Sequence, residues 1–141
     1  MDKSFLGAVK TFALALGCIS VFASCHESLE DRAEREAKEF TQKFCPTPPE
    51  NGVITDSIVF NKATRTRTYH YTFVNELDNE EALSLKKDEI VQGLLIQIRS
   101  NPQNKSYIEA GFAFSYVCRS ESKGNVILSH TFTSTDLQGI K

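Results

Sequence analysis

The stretch Gly111-Phe112-Ala113-Phe114-Ser115-Tyr116-Val117-Cys118-Arg119 decides how the rest of the chain folds. Large residues alternate with small or polar ones along it, which is the period-2 pattern of a strand with one buried face. It has the densest aromatic spacing in the sequence. We therefore expect the other elements of the fold to pack on its aromatic side.

The composition indicates one small globular domain. The chain has 141 residues, of which 40% are hydrophobic and 24% charged, and its formal net charge is −2. Because there is no basic excess, the sequence gives no reason to expect a nucleic-acid partner.

The N-terminus resembles a lipoprotein signal peptide. Lys3 and Lys10 precede an apolar run over residues 11–23, which has the length of a signal-peptide core and is too short to span a bilayer comfortably. The run ends in Ala23-Ser24 directly before Cys25, as in a bacterial lipobox. The resemblance implies removal of residues 1–24 and acylation of Cys25 by chains such as palmitate, with residues 25–31 as a tether. The protein would then be exported and anchored in a Gram-negative cell envelope, on the periplasmic side or the cell surface.

Cysteine pairing bears on two alternatives for this segment. Ordinary cleavage after Ala23 would leave three cysteines in an oxidising compartment, whereas acylation of Cys25 leaves two that can pair. Cys18 is a second lipidation candidate, with a shorter apolar run before it. We expect a Cys45–Cys118 disulfide that joins the end of the first helix to the aromatic strand, with two free thiols as the alternative.

Residues 32–141 are predicted to form a single α+β domain. Helical spacing of apolar residues predicts helices over residues 29–44 and 85–99, and Asn101-Pro102 predicts the start of a short helix that ends before Gly111. Alternating residues predict strands over residues 53–60, 65–74, 111–119 and 126–133. Two hairpins separated by a helix favour a four-stranded antiparallel sheet with two helices packed on one face, in the order α-β-β-α-β-β.

These strands also resemble a loose group of small exported bacterial proteins. The resemblance rests on Thr68-Tyr69-His70-Tyr71, on the helix that follows, and on a strand from Gly111 to Tyr116 closed by Gly124. Many members of the group are lipoproteins of Bacteroides-like bacteria with no known function, so the resemblance implies a fold alone. Members often carry a second aromatic residue where this chain has Cys118, so the group does not imply the disulfide.

The sequence predicts no catalytic, metal or cofactor site. The histidines are His26, His70 and His130, and neither a His-x-x-x-His nor a Cys-x-x-Cys spacing occurs. There is also no Gly-x-Ser-x-Gly motif and no glycine-rich phosphate loop. We therefore expect a non-enzymatic envelope module that binds a partner or supports an assembly.

The sheet face opposite the aromatic one is the candidate binding face. Its residues are short, rich in hydroxyl groups and nearly uncharged: Thr68, His70, Thr72, Ala113, Ser115, Val117, Ser129 and Thr131. Such a face is easily desolvated, so it suits a contact between two copies of the chain or an extended ligand. The alternative is a threonine-rich strand face that is simply exposed to water, since threonine favours strands. The alternative function is a small-ligand or glycan-binding protein that uses this face.

Two shorter features complete the predictions. The basic residues Lys62, Arg65 and Arg67 would either meet an anionic glycan or lipid headgroup, or form a charged hairpin tip that blocks edge pairing. Asp56-Ser57-Ile58 fits a short O-glycosylation acceptor pattern, with Ser57 as the modified residue.

Overall fold

A computed structural model describes residues 27–139. In this range the elements are α1 (Leu29–Phe44), β1 (Val53–Asn61), β2 (Thr66–Phe73), α2 (Glu80–Leu85), α3 (Lys87–Ser100), α4 (Lys105–Glu109), β3 (Ala113–Ser120), β4 (Val126–Phe132) and α5 (Ser134–Gln138). The predicted signal peptide, Cys18, Cys25 and His26 lie outside the described residues. Among residues 27–139, no helix is long and apolar enough to cross a membrane.

The four strands form one sheet in the order β1-β2-β3-β4. Both predicted hairpins are present, because β1 pairs antiparallel with β2 and β3 with β4. The α+β class is confirmed, but the purely antiparallel sheet is wrong: β2 and β3 are parallel, with Thr66 opposite Ala113 and Phe73 opposite Ser120. The connection between them contains α2, α3 and α4, and this crossover returns the chain to the end of the sheet at which β2 began.

The first helix has the predicted bounds and lies against β1. Ser28 caps it by accepting a hydrogen bond from Asp31 N. Ala33 and Ala37 are its buried residues, and their small side chains let the helix approach the sheet closely. The helix ends before Cys45-Pro46, where proline disfavours a helical residue in front of it.

The aromatic strand is at the centre of the core, as predicted. Phe112 and Phe114 are 1% and 0% exposed. The Phe112 ring lies 5.2 Å from the Phe60 ring and 5.3 Å from the Tyr107 ring, in stacked pairs. Gly111 has the left-handed φ of 83° predicted for the residue that terminates the short helix before β3.

The predicted Cys45–Cys118 disulfide is absent, since both residues are free thiols. Cys118 lies opposite Tyr71, and Tyr71 lies opposite Thr55 on β1. The segment after α1 runs along the outer edge of β1, where Thr47 N donates to Thr55 O. Two strand spacings, about 9.5 Å, therefore separate Cys118 from that edge. This exceeds the Cα separation of about 7 Å that a disulfide can bridge.

Candidate functional site

A groove of about 650 Å³ opens over the core face of the sheet, between α1 and α3. Tyr71 and Tyr116 form part of its floor, while Phe40 of α1 and Leu94 of α3 form its walls. The segment between α1 and β1 closes one end with Thr47, Glu50 and Asn51. Most of the groove surface is therefore apolar or aromatic.

The groove exists because the two long helices cover different parts of the sheet. α1 packs on β1, whereas α3 lies towards β4. Ile98 is the one fully buried residue of α3, and Ile96 is exposed. Four more of its apolar residues are half-buried: Ile90, Val91, Leu94 and Leu95. On the facing helix, Phe40 is also half-buried and its ring lies 5.3 Å from that of Phe44, which is 59% exposed. Apolar surface on both helices thus remains without a partner in the described chain.

The polar groups on the groove floor are held in their neutral forms. Burial raises the pKa of the Tyr71 and Tyr116 hydroxyls, and the neighbouring tyrosine hydroxyls raise it further. Burial also raises the pKa of the Cys118 thiol to about 12. An uncharged floor favours an apolar occupant over an ionic ligand.

The predicted binding face is present on the opposite side of the sheet. Thr68, Ser115 and Thr131 form one row across three strands. The hydroxyl oxygens of Ser115 and Thr131 are 2.9 Å apart. The next row contains Ser57, His70, Val117 and Ser129, so the predicted glycosylation residue shares this face.

A β-bulge lies at one edge of this face. The register of β1 against β2 shifts between Thr55 and Ser57, which leaves Asp56 as the extra residue. Thr72 donates a hydrogen bond of 2.7 Å to the Asp56 carboxylate. Thr72 and Thr68 lie on the same side of β2 as His70, so the structure places the predicted polar residues together.

The basic residues of the β1–β2 hairpin pair with acidic residues of α1. Lys62 Nζ lies 2.7 Å from Asp31 and 2.8 Å from Glu34. Arg65 lies 2.9 Å from Glu30. The acidic helix thus neutralises these side chains within the chain, which leaves little basic charge for an anionic ligand.

Arg67 belongs to a partly buried cluster that sequence reasoning missed. Its side chain is 14% exposed, 3.8 Å from Glu36, and its guanidinium lies over the Tyr69 and Tyr107 rings at 5.6 and 6.0 Å. Tyr107 donates a hydrogen bond of 2.7 Å to Glu36. The strand phase contained the signal, because Arg67 alternates in step with the core residues Tyr69 and Tyr71.

The Glu36–Tyr107 pair has perturbed ionisation. Burial opposes ionisation of Glu36, but hydrogen bonds from Tyr107 and Arg32 and the charge of Arg67 hold its pKa below the ordinary value. Burial and the hydrogen bond to Glu36 raise the pKa of Tyr107 to about 12. The cluster links α1, β2 and α4, so we assign it to stability rather than to chemistry.

Comparison with known proteins gives a family and a fold. A family model described as a domain of unknown function (DUF8479) matches residues 28–128. No curated protein matches the sequence.

Three solved structures share the fold. The presumed secreted protein PA3611 of Pseudomonas aeruginosa has a TM-score of 0.65 at 14% identity, over 79% of this chain and 98% of that one. The type II secretion pilotin EpsS of Vibrio vulnificus has a TM-score of 0.59 at 15% identity, over 79% and 94% of the two chains. The type II secretion pilotin AspS of Vibrio cholerae has a TM-score of 0.55 at 15% identity, over 77% and 91%.

Proposed function

Because the chain belongs to the family with the domain of unknown function DUF8479, we propose a function from its fold and surface. The protein is a non-enzymatic module of the cell envelope that binds a short amphipathic segment of another envelope protein. The binding site is the groove between α1 and α3. The groove is the observation that carries the proposal, since it leaves apolar surface of two helices without a partner in the described chain.

The chemistry of the groove favours a protein segment over a glycan. A glycan site needs several convergent polar groups, whereas here aromatic and aliphatic side chains predominate and the floor hydroxyls are neutral. An amphipathic helix places apolar residues in such a groove at positions i, i+3, i+4 and i+7. The half-buried Phe40 and Leu94, on opposite walls, would contact that apolar face.

The fold neighbours support a role in an envelope assembly. Two of them are pilotins of type II secretion systems and the third is a presumed secreted protein. We propose accordingly that this protein is exported, and that acylated Cys25 anchors it to the membrane. Phe40 follows Leu29 by eleven residues, or about 16 Å of helix, so the anchor enters at the end of α1 away from the groove.

Photo-crosslinking from the groove tests this function in the intact envelope. A photoreactive phenylalanine analogue replaces Phe40 in the full-length chain, and the matched site is Ile96, which is 65% exposed on α3 and does not line the groove. We expect one defined envelope protein to crosslink from position 40 and not from position 96, through a segment with helical apolar periodicity. Equal crosslinking from both positions, or none from position 40, would overturn the proposal.

A further inference from the structure

The two edge strands of the sheet differ in whether their outward backbone groups are hydrogen-bonded. On β1, the outward backbone groups are occupied by the chain itself. Val53 exchanges backbone hydrogen bonds with Glu50, and Thr55 bonds through both its N–H and its C=O to Thr47. Further along, the Thr41 hydroxyl bonds both Ile58 N and Ile58 O. An incoming strand therefore finds few free groups on β1.

The hydrogen bonds of β3 show which groups of β4 face outward. Ala113 N donates to Arg65 O just before β2, so the odd-numbered amides of β3 point towards β2. The even-numbered amides point towards β4, as Ser120 N does when it donates to Asn125 O.

On β4, the outward backbone groups are free. Leu128, His130 and Phe132 are the register partners of the even-numbered β3 residues, so their backbone groups point inward. Successive residues alternate, and Ser129 and Thr131 therefore point N–H and C=O away from the sheet. Within residues 27–139, nothing bonds to these groups.

A β-bulge at Ile127, where the register of β4 against β3 shifts, limits the regular edge to residues 128–132. The strand Val126–Phe132 contains no charged residue and no proline, which are two of the features that commonly block edge pairing. A groove of about 730 Å³ runs beside it, between α2 and the strand. Leu85 and Val126 line this groove and are 84% and 42% exposed.

We propose that β4 pairs antiparallel with β4 of a second copy of this chain, to form a continuous eight-stranded sheet about a two-fold axis. Each copy offers one open edge because its β1 edge is covered, so the assembly closes as a dimer and does not extend into a fibre. Neither strand is charged, so like charges do not oppose each other across the junction. This dimer does not depend on the groove between α1 and α3.

The backbone geometry restricts how the two copies meet. Outward groups must face outward groups, so paired residues differ in number by an even amount, and one residue lies opposite its own copy. Directly opposed residues have Cα atoms about 4.5–5.5 Å apart, which falls in the range of about 4.4–6.8 Å that a disulfide bridges. A cysteine on the axis therefore crosslinks to itself, while a cysteine two positions away does not.

Cysteine crosslinking and sedimentation of the purified full-length chain test the dimer. The variants Ser129→Cys, His130→Cys and Thr131→Cys are oxidised separately, with Ser57→Cys as the control. Ser57 lies in the same row of the sheet as Ser129, but at the covered edge. We expect one of the three β4 variants to give a band of twice the chain mass, and the control to stay monomeric.

A matched pair of lysine variants gives an independent readout. Ser129→Lys should convert the two-copy mass in sedimentation to a one-copy mass, while Ser57→Lys should leave the two-copy mass unchanged. If the wild-type chain sediments as a monomer, the proposal is wrong. This outcome includes the case in which β4 pairs with an extended segment of a different protein. If both lysine variants lose the two-copy mass equally, the proposal is also wrong, and the contact between copies lies on the hydroxyl-rich sheet face.

Discussion

The Tyr107 hydroxyl donates a hydrogen bond of 2.7 Å to Glu36 Oε2 and so joins the short helix α4 to the first helix. Arg67 approaches the same carboxylate to 3.8 Å and lies over the Tyr107 ring at 6.0 Å. Three elements distant in sequence thus meet around one partly buried carboxylate. This cluster closes the end of the core next to Phe112, and its three residues do not line the groove.

Glu36→Gln is expected to destabilise the fold by about 1–2 kcal/mol, because it leaves the partly buried Arg67 charge without its partner. Glu34→Gln is the matched control on the same helix. Its side chain has the same 33% exposure, but it pairs with the more exposed Lys62 and Lys38. A smaller loss is expected, because ion pairs between exposed side chains contribute little to stability. Urea unfolding at neutral pH measures both. Equal losses for the two variants would contradict the role of the cluster.

Alkaline pH is expected to destabilise the protein through its tyrosines. The pKa of each of the four is raised above 10, mainly by burial, and that of Tyr107 reaches about 12. A phenol pKa that is higher in the folded than in the unfolded chain gives stability that is full below pH 10 and is lost as pH rises towards 12. Urea midpoints measured between pH 8 and 11.5, together with tyrosinate absorbance, check this. If the tyrosines titrate near pH 10 while the circular dichroism spectrum remains that of the folded protein, the expectation is wrong.

The two cysteines of the domain are expected to differ in reactivity. Cys118 is buried, and with a pKa of about 12 roughly one thiol in ten thousand is ionised at pH 8. Cys45 is half-buried and therefore the more accessible of the two, although burial and the Asp56 carboxylate raise its pKa as well. Alkylation without reductant, read by peptide mass spectrometry, should label Cys45 first and Cys118 only after unfolding. A linked Cys45–Cys118 peptide would contradict this expectation and show that the disulfide predicted from cysteine parity does form.

Membrane attachment is expected to depend on Cys25, which lies outside the described residues. Cys25→Ala should move the protein from the membrane fraction to the soluble envelope fraction, since the thioether-linked lipid is lost. Cys18→Ala is the matched control and should leave the partition unchanged. If the Cys25 variant stays in the membrane fraction while the Cys18 variant is released, the lipobox lies seven residues earlier than proposed.

Much of the fold was predictable because it follows local patterns. The alternation in β3, the helical spacing in α1 and the glycine at position 111 each report on a neighbourhood of a few residues, and each is confirmed. The parallel pairing of β2 with β3 was not predictable from the hairpins, because alternation does not specify which end of the sheet a crossover reaches. It depends on how α2, α3 and α4 lie across the sheet.

The short helices were missed for a related reason. α2 and α5 contain six and five residues, too few for helical periodicity. Their signals are in their caps: Asn79 accepts from Ala82 N, and Thr133 forms a capping box with Asp136. The candidate site shows the same limit. The hydroxyl-rich face was predictable from the alternation of residues in the strands. The groove depends on the separation between α1 and α3, which the sequence of neither helix determines alone.

The most direct test of the groove is a pair of substitutions on one helix. Leu94 lines the groove and Ile96, two residues later, is 65% exposed and does not. Each full-length variant is captured from envelope extracts and its bound partner is identified. Leu94→Asp should no longer bind the protein that crosslinks at position 40, whereas Ile96→Asp should still bind it. Thermal unfolding of both variants confirms that they fold. If a folded Leu94→Asp variant retains that partner as well as wild type does, the groove is not the binding site.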